Sequence, residues 1–306
     1  MGLKLVFDSV TTINNNTAGY LFTTSLEPDL LDFLRDDFNF EVSLRLVNDL
    51  QQQLRISKIR DFNQRCKSLV LKLFTNVVLN YIVSLLESID FDPWRPLDLQ
   101  YNQFGKPFLM VNGTVLQFNS SSSNDIMSIV VLMNSGGSAV GIDLSHSRQN
   151  VSTTKFIDEF APIFDDVELT YLQSISNIQQ QYIAFNHIWT LKEAFTKLLG
   201  SGLNIDLCQF FFSIKKPVEL AEPEMGNDLI SEYSLEWNDQ IGINVDKLAA
   251  QENKFLVSLP SKRFTCVSSV LRTGEELPVI VSIIHQHDKL KIRSYNIRML
   301  KVISSS

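Results

Sequence analysis

The chain has 306 residues, with 27 Lys and Arg against 34 Asp and Glu, for a formal net charge of −7. Hydrophobic residues at 44% and charged residues at 20% are the make-up of a globular protein with ample core material, which excludes global disorder. The acidic balance argues against general nucleic-acid binding, which depends on clustered Lys and Arg.

At about 150 residues per domain, the length points to two domains or one long duplicated one. Cys66, Cys208 and Cys266 stand alone, with no CxxC pair, so neither a zinc site nor a disulfide framework is indicated. A reducing, cytoplasmic setting is expected. The opening MGLKLVFDSV has no basic segment leading into an apolar one, and Val6 stands where myristoylation at Gly2 wants Ser or Thr. No uninterrupted apolar run reaches the roughly 18 to 20 residues that cross a bilayer, so no membrane association is expected.

Residues 40 to 90 read as mostly helical, because Leu69, Leu73, Val77 and Tyr81 recur at spacing four, joined by Val70, Phe74 and Val78. Within 55 to 72, Arg55, Lys58, Arg60, Arg65, Lys67 and Lys72 face only Asp61, a local basic excess in an acidic chain. DFDPWRPLDLQYNQFGKPF, with its prolines, reads as loop with one short strand. VLQFN at 115–119 is a strand predicted to run into a polar serine loop, and DIMSIVVLM at 125–133 is a buried strand. A turn at Asn134 to Gly137 followed by SAVGIDL predicts a β-hairpin linking the two halves of the chain.

From Glu168 to Leu199 the pattern is helical, as one helix or two, with Gly200 as its stop. CQFFFSI at 208–214, FLVSLP at 255–260 and VIVSIIH at 279–285 read as strands. Residues 217–253 read as an acidic surface insertion with one or two strands. Lys289, Lys291, Arg293, Arg298 and Lys301 read as a solvated basic face.

Three features carry chemistry. In Trp189-Thr-Leu-Lys192-Glu193-Ala-Phe-Thr-Lys197-Leu-Leu-Gly200, helical spacing puts Trp189, Glu193 and Lys197 on one face. An exposed Glu–Lys pair of small energetic value has the same spacing. Val140-Gly141-Ile142-Asp143 ends an apolar strand on a carboxylate, as a turn cap or as a ligand for a hard cation. Asp143 and Glu193 together suit Mg²⁺, which takes one or two carboxylates plus phosphate oxygens and water. Gly105-Lys106-Pro107 and Phe118-Asn119-Ser120-Ser121-Ser122 supply a cation and hydroxyl donors suited to an anion.

In this order, GKP, FNxSxS, VGID and WxxKEAxxKxxGxG over roughly residues 60 to 215 resemble the Sfp-type 4'-phosphopantetheinyl transferases. The stretch WTLKEAFTKLLGSGL is the specific part. The long members that activate aminoadipate reductase for fungal lysine synthesis look closest.

The resemblance implies an α+β, pseudo-twofold duplicated fold of two similar subdomains with the active site in the cleft between them, divided as 1–133 and 134–306. It implies a Mg²⁺-dependent holo-[acyl-carrier-protein] synthase, moving the phosphopantetheine arm of coenzyme A to a serine of an apo carrier domain of aminoadipate reductase. Carried over by motif, Asp143 and Glu193 ligate Mg²⁺, and Glu193 helps to deprotonate the serine. Lys197 neutralises the splitting pyrophosphate, and Lys192 joins the coenzyme-binding set. Gly105, Lys106 and Pro107 hold the adenosine end, Asn119, Ser121 and Ser122 line the nucleotide pocket, and Arg65 reaches a phosphate.

Trp189 is assigned to packing. Two positions depart from the family: Ser122 stands in place of a histidine, and Ser145 in place of the second acid of bacterial members, with His146 beside it read as a surface residue. The alternatives are an inactive scaffold that binds coenzyme A or a carrier, and a transferase for fatty-acid or polyketide carriers. A duplicated fold that completes its cleft within one chain is expected to be a monomer.

Overall fold

The computed structural model describes residues 18–133, 135–146, 156–273, 276–288 and 290–305. Gly2, Val6, Asn134 and Lys289, singled out above, lie outside the described residues.

Strand β1 (Ala18–Ser25) leads into helices α1 (Pro28–Arg35), α2 (Asp37–Arg45), α3 (Leu50–Ser57) and α4 (Phe62–Glu87). Asp61, the lone carboxylate of the basic stretch, caps α4 by accepting from the Gln64 amide. The predicted stripe Leu69, Leu73, Val77 and Tyr81 is buried, as are Val70, Phe74 and Val78, because α4 packs across a sheet. By length and apolarity α4 meets the requirement for a membrane span, but most of it is buried in this core.

The strands β2 (Gln100–Tyr101), β3 (Pro107–Val111), β4 (Thr114–Ser123) and β5 (Ile126–Met133) follow, then β6 (Val140–Leu144). Two differences from the sequence reading appear here. The serine tract is strand rather than loop: Ser120 to Ser123 pair with Ile129 to Ile126 of β5, so their amides belong to a ladder. Nor do β5 and β6 form a hairpin, because both edges of β5 are taken by β1 and β4, while β6 pairs with β11 (Val279–His285).

Beyond β6 come α5 (Phe156–Phe160), α6 (Asp166–Ser174), α7 (Ile178–Leu199), β7 (Phe211–Ile214), β8 (Ile230–Tyr233) and β9 (Asn238–Asn244). The long helical pattern is thus two helices, parted at Ile175 to Asn177, with Asn177 capping the second. After α8 (Asp246–Ala250), the predicted strand at 255–260 is instead helix α9 (Lys254–Val257), whose first amides bond the Asn253 side chain. The chain ends with β10 (Thr265–Arg272), β11, β12 (Ile292–Ile297) and α10 (Met299–Ile303).

The result is a mixed α+β fold with two sheets. One has the order β2-β3-β4-β5-β1-β12-β8 and the other β6-β11-β10-β9-β7. Residues 217–253 are therefore more than a surface insertion, since β9 lies inside the second sheet between β10 and β7. The carboxyl-terminal β12 returns to the first sheet, parallel to β1, and β8 pairs beside it. The basic tail is partnered there: Arg293 forms a two-pronged pair with Glu232 at 3.0 Å, and Arg298 pairs with Glu27.

Side chains stitch the two sheets together. The free edge of β6 faces β4, where Asn119 Oδ1 accepts from the Ile142 amide at 3.0 Å and Ser121 Oγ from the Leu144 amide at 3.2 Å. These contacts satisfy buried edge donors that no strand reaches.

Candidate functional site

A cleft of about 590 Å³ opens along this seam, lined by Leu71 of α4, Ser120 to Ser122 of β4, Asp143 to His146 at the end of β6, and Trp189, Glu193 and Lys197 of α7. Gly141 creates the close approach of β6 to α7: a Cβ there would lie 2.0 Å from the Ala194 carbonyl oxygen and 2.5 Å from the Leu198 amide. That contact sets Asp143, two residues on, beside the Glu193 and Lys197 face of the helix.

Asp143 Oδ1 accepts from Lys197 Nζ at 2.6 Å and from Ser121 Oγ at 2.8 Å, and Lys197 also donates to Ser121 Oγ at 3.1 Å. Burial pushes the Glu193 carboxyl above its ordinary range, and the Asp143 charge pushes it further, with Lys197 opposing both. Two carboxylates line one cleft with a single ammonium, bonded to Asp143, which leaves room for further positive charge.

The structure divides the other predicted site residues. Ser122 lines the cleft, and Ser121 does so while bonding Asp143. Asn119 is spent on the seam. Lys106 is buried with its Nζ donating to the Val140 carbonyl at 2.7 Å and the Leu198 carbonyl at 3.0 Å, and burial pushes its ammonium down to about 7. It ties β6 to α7 and does not face the Asp143 cleft. A second cavity of about 350 Å³ lies beside it, lined by Phe104, Gln117, Ala139 and Leu199 among others. Gly105 takes a left-handed turn (φ 83°) and Pro107 begins β3, so both shape the Lys106 loop.

Lys192 requires a correction. It is fully buried, bonding Glu168 Oε2 at 2.8 Å and the carbonyls of Leu207 and Phe210, so it is not a direct coenzyme contact. Arg65 is likewise turned from the cleft, its guanidinium lying 5.1 Å from the Phe40 ring centroid and 5.9 Å from that of Phe62. The cation that helical spacing places on the cleft face is Lys67, one turn before the cleft-lining Leu71. Partial burial holds the His146 imidazole down against the Asp143 charge, and Lys67 lies close enough to lower it further, as does Lys197.

The spacing from Leu71 was available in the sequence, but which face of α4 meets the cleft was not. Ser145 offers no substitute for a second acid, since its hydroxyl donates to the Pro278 carbonyl and accepts from the Ile280 amide. His146 is exposed, as read, and lies at the edge of the cleft, with Nδ1 3.5 Å from Ser123 Oγ.

Comparison with known proteins bears on this segment directly. Residues 139–242, which carry β6 and α7, match the 4'-phosphopantetheinyl transferase superfamily. The chain carries a segment of that superfamily.

It is 29% identical, over 58% of its length and 61% of the relative's, to the L-aminoadipate-semialdehyde dehydrogenase-phosphopantetheinyl transferase of Saccharomyces cerevisiae. The protein of that name from Candida glabrata is 27% identical over 58% of this chain and 64% of its own. A 4'-phosphopantetheinyl transferase of Aneurinibacillus migulanus is 26% identical over 60% and 76%. The chain thus spans under two thirds of the two yeast relatives it matches.

The donor set of the cleft fits a hard divalent cation. Asp143 and Glu193 line the same cleft, and the Glu193 carboxyl is raised first by burial and then by the Asp143 charge, the second of which a cation would relieve. Among the described residues no group of three or more His, Cys, Asp or Glu gathers, so the remaining ligands would be water and substrate oxygens.

Proposed function

We propose that this chain transfers the 4'-phosphopantetheine arm of coenzyme A to a serine of an apo carrier domain, that of an aminoadipate reductase, releasing adenosine 3',5'-bisphosphate. The observation that carries the reading is the convergence of Asp143, Glu193 and Lys197 in one cleft, within the segment that matches the superfamily. The names of the yeast relatives support the choice of carrier.

Asp143 and Glu193 would hold Mg²⁺, which when bound supplies positive charge to phosphate oxygens. The chain's own residues do the rest. Glu193, with its carboxyl raised by burial and by Asp143, is a stronger base than a solvated carboxylate and takes the serine proton. The serine oxygen bonds to the β-phosphorus as the bond to the bridging oxygen breaks. Lys197 offsets the charge that collects on the departing phosphate.

His146 and Lys67, at the cleft mouth, meet further phosphate charge in place of the histidine that Ser122 replaces. Each sheet carries one long helix, α4 or α7, which supports a duplicated fold with its site at the seam, complete in a monomer. The free cysteines suit the cytoplasm.

Incubation of the purified chain with coenzyme A, Mg²⁺ and an apo aminoadipate-reductase carrier domain is expected to add one phosphopantetheine, read by intact mass. Coenzyme binding with no mass gain on any apo carrier would instead establish a scaffold. A gain on fatty-acid or polyketide carriers alone would move the target there.

A further inference from the structure

We propose that the buried Lys192–Glu168 pair is a positioning strut that fixes the rotation of α7, so that Glu193 and Lys197 face Asp143. The pair is complete within itself. Glu168 Oε2 accepts from Lys192 Nζ at 2.8 Å and from the Asp165 amide at 3.0 Å, while Oε1 accepts from the Phe212 amide at 2.9 Å. Lys192 spends its other two donors on the carbonyls of Leu207 at 2.9 Å and Phe210 at 2.8 Å. One ion pair thereby ties α6, the segment entering β7, and α7.

Helix geometry gives this knot its meaning. Successive residues turn by about 100°, so Lys192 and Ala194 lie to either side of Glu193. The Ala194 flank is pressed against Gly141. The Lys192 flank is anchored by Glu168. Glu193 lies between two fixed flanks and is left pointing at the cleft. A van der Waals contact alone resists approach but not rolling; hydrogen bonds of fixed direction on the opposite flank resist rolling.

Stability does not by itself call for charge here. Burial pushes the Glu168 carboxyl up and the Lys192 ammonium down, each held back by the other. Apolar side chains of similar volume commonly replace a buried ion pair without loss of stability, so the charge itself is not what stability requires; the backbone groups the pair also satisfies are a separate matter. What apolar side chains lack is direction.

The inference rests on the cleft being a coenzyme A site. Its test uses the full chain carrying Glu168→Met with Lys192→Met, and separately Glu168→Gln, which keeps the shape of the side chain but only one of its two acceptor oxygens. Thermal melting and titration calorimetry of coenzyme A with Mn²⁺ in place of Mg²⁺ are measured well below the melting temperature. The double variant is expected to melt lower than the parent, because it also leaves the Asp165 and Phe212 amides and the Leu207 and Phe210 carbonyls without side-chain partners. While still folded it is expected to bind at least tenfold more weakly, and Glu168→Gln to weaken binding in the same direction.

A folded variant with parental affinity would overturn the positioning role and leave the functional reading intact. Absence of coenzyme binding by the parent would overturn both. If neither variant folds, the pair serves stability, and the positioning role is likewise overturned.

Discussion

Gly141 and Ala194 meet backbone to backbone: a Cβ on the glycine would stand 2.0 Å from the alanine's carbonyl oxygen, where nothing flexible is available to yield. The whole candidate site hangs on this contact, because Asp143 follows in the strand and Glu193 precedes Ala194 in the helix. Gly141→Ala is expected to destabilise the protein by about 3 kcal/mol, the upper part of the usual overpacking range, and to weaken Mn²⁺ binding. A melting temperature equal to the parent's would mean that β6 and α7 are not in backbone contact.

Glu193→Ala should remove transfer by at least about a hundredfold, the lower end of what a positioned base contributes. It should leave the melting temperature unchanged or slightly higher, since it removes a carboxylate opposed by Asp143. Normal turnover by the variant would dismiss Glu193 from the chemistry.

Lys67 and Arg65 are neighbours in sequence with opposite assignments in space. Lys67→Ala is expected to weaken coenzyme A binding about tenfold, the worth of one charge-assisted contact, and Arg65→Ala much less. Calorimetric titration of both variants decides the matter. The reverse order of effects would restore the role first read for Arg65.

Asn119→Ala should cost about 1 to 3 kcal/mol by leaving the Ile142 amide buried without an acceptor. Asn119→Asp, which keeps the acceptor, should recover much of that loss. Equal melting temperatures for the two variants would show that the seam does not depend on this bond.

His187 and His285 are buried, and burial pushes both imidazoles down to about 4. The unfolded chain takes up these protons near the ordinary histidine value of about 6.5. Their contribution to stability is thus full above that value and drains as pH falls towards 4, by roughly 3 kcal/mol per histidine. Denaturant unfolding at pH 7 and pH 4.5 should show the loss, and His187→Met should lessen it. An unchanged pH dependence in that variant would mean that His187 is hydrated in the folded state.

The α4 stripe and the α7 face with Trp189, Glu193 and Lys197 were legible in the sequence because helical periodicity is local. Asp143 was legible as a carboxylate at the end of a buried strand, and the motif order marked the superfamily before any fold was at hand. Pairing was not legible. Ser120 to Ser123 look like loop until β5 supplies their ladder, and β5 with β6 look like a hairpin until β1 and β4 occupy both edges of β5. β12 also completes a sheet begun more than 260 residues earlier.

The lysines show the division most sharply. In sequence Lys106, Lys192 and Lys197 are three equal cations in motifs. Tertiary structure alone gives the first two to buried carbonyls and a buried carboxylate and leaves the third on Asp143, since an ammonium's role is set by which acceptors surround it. Residue type and spacing determined the inventory of charges and the helix faces that bear them. Only the packing of α7 against β6 decided which of those charges reach one cleft.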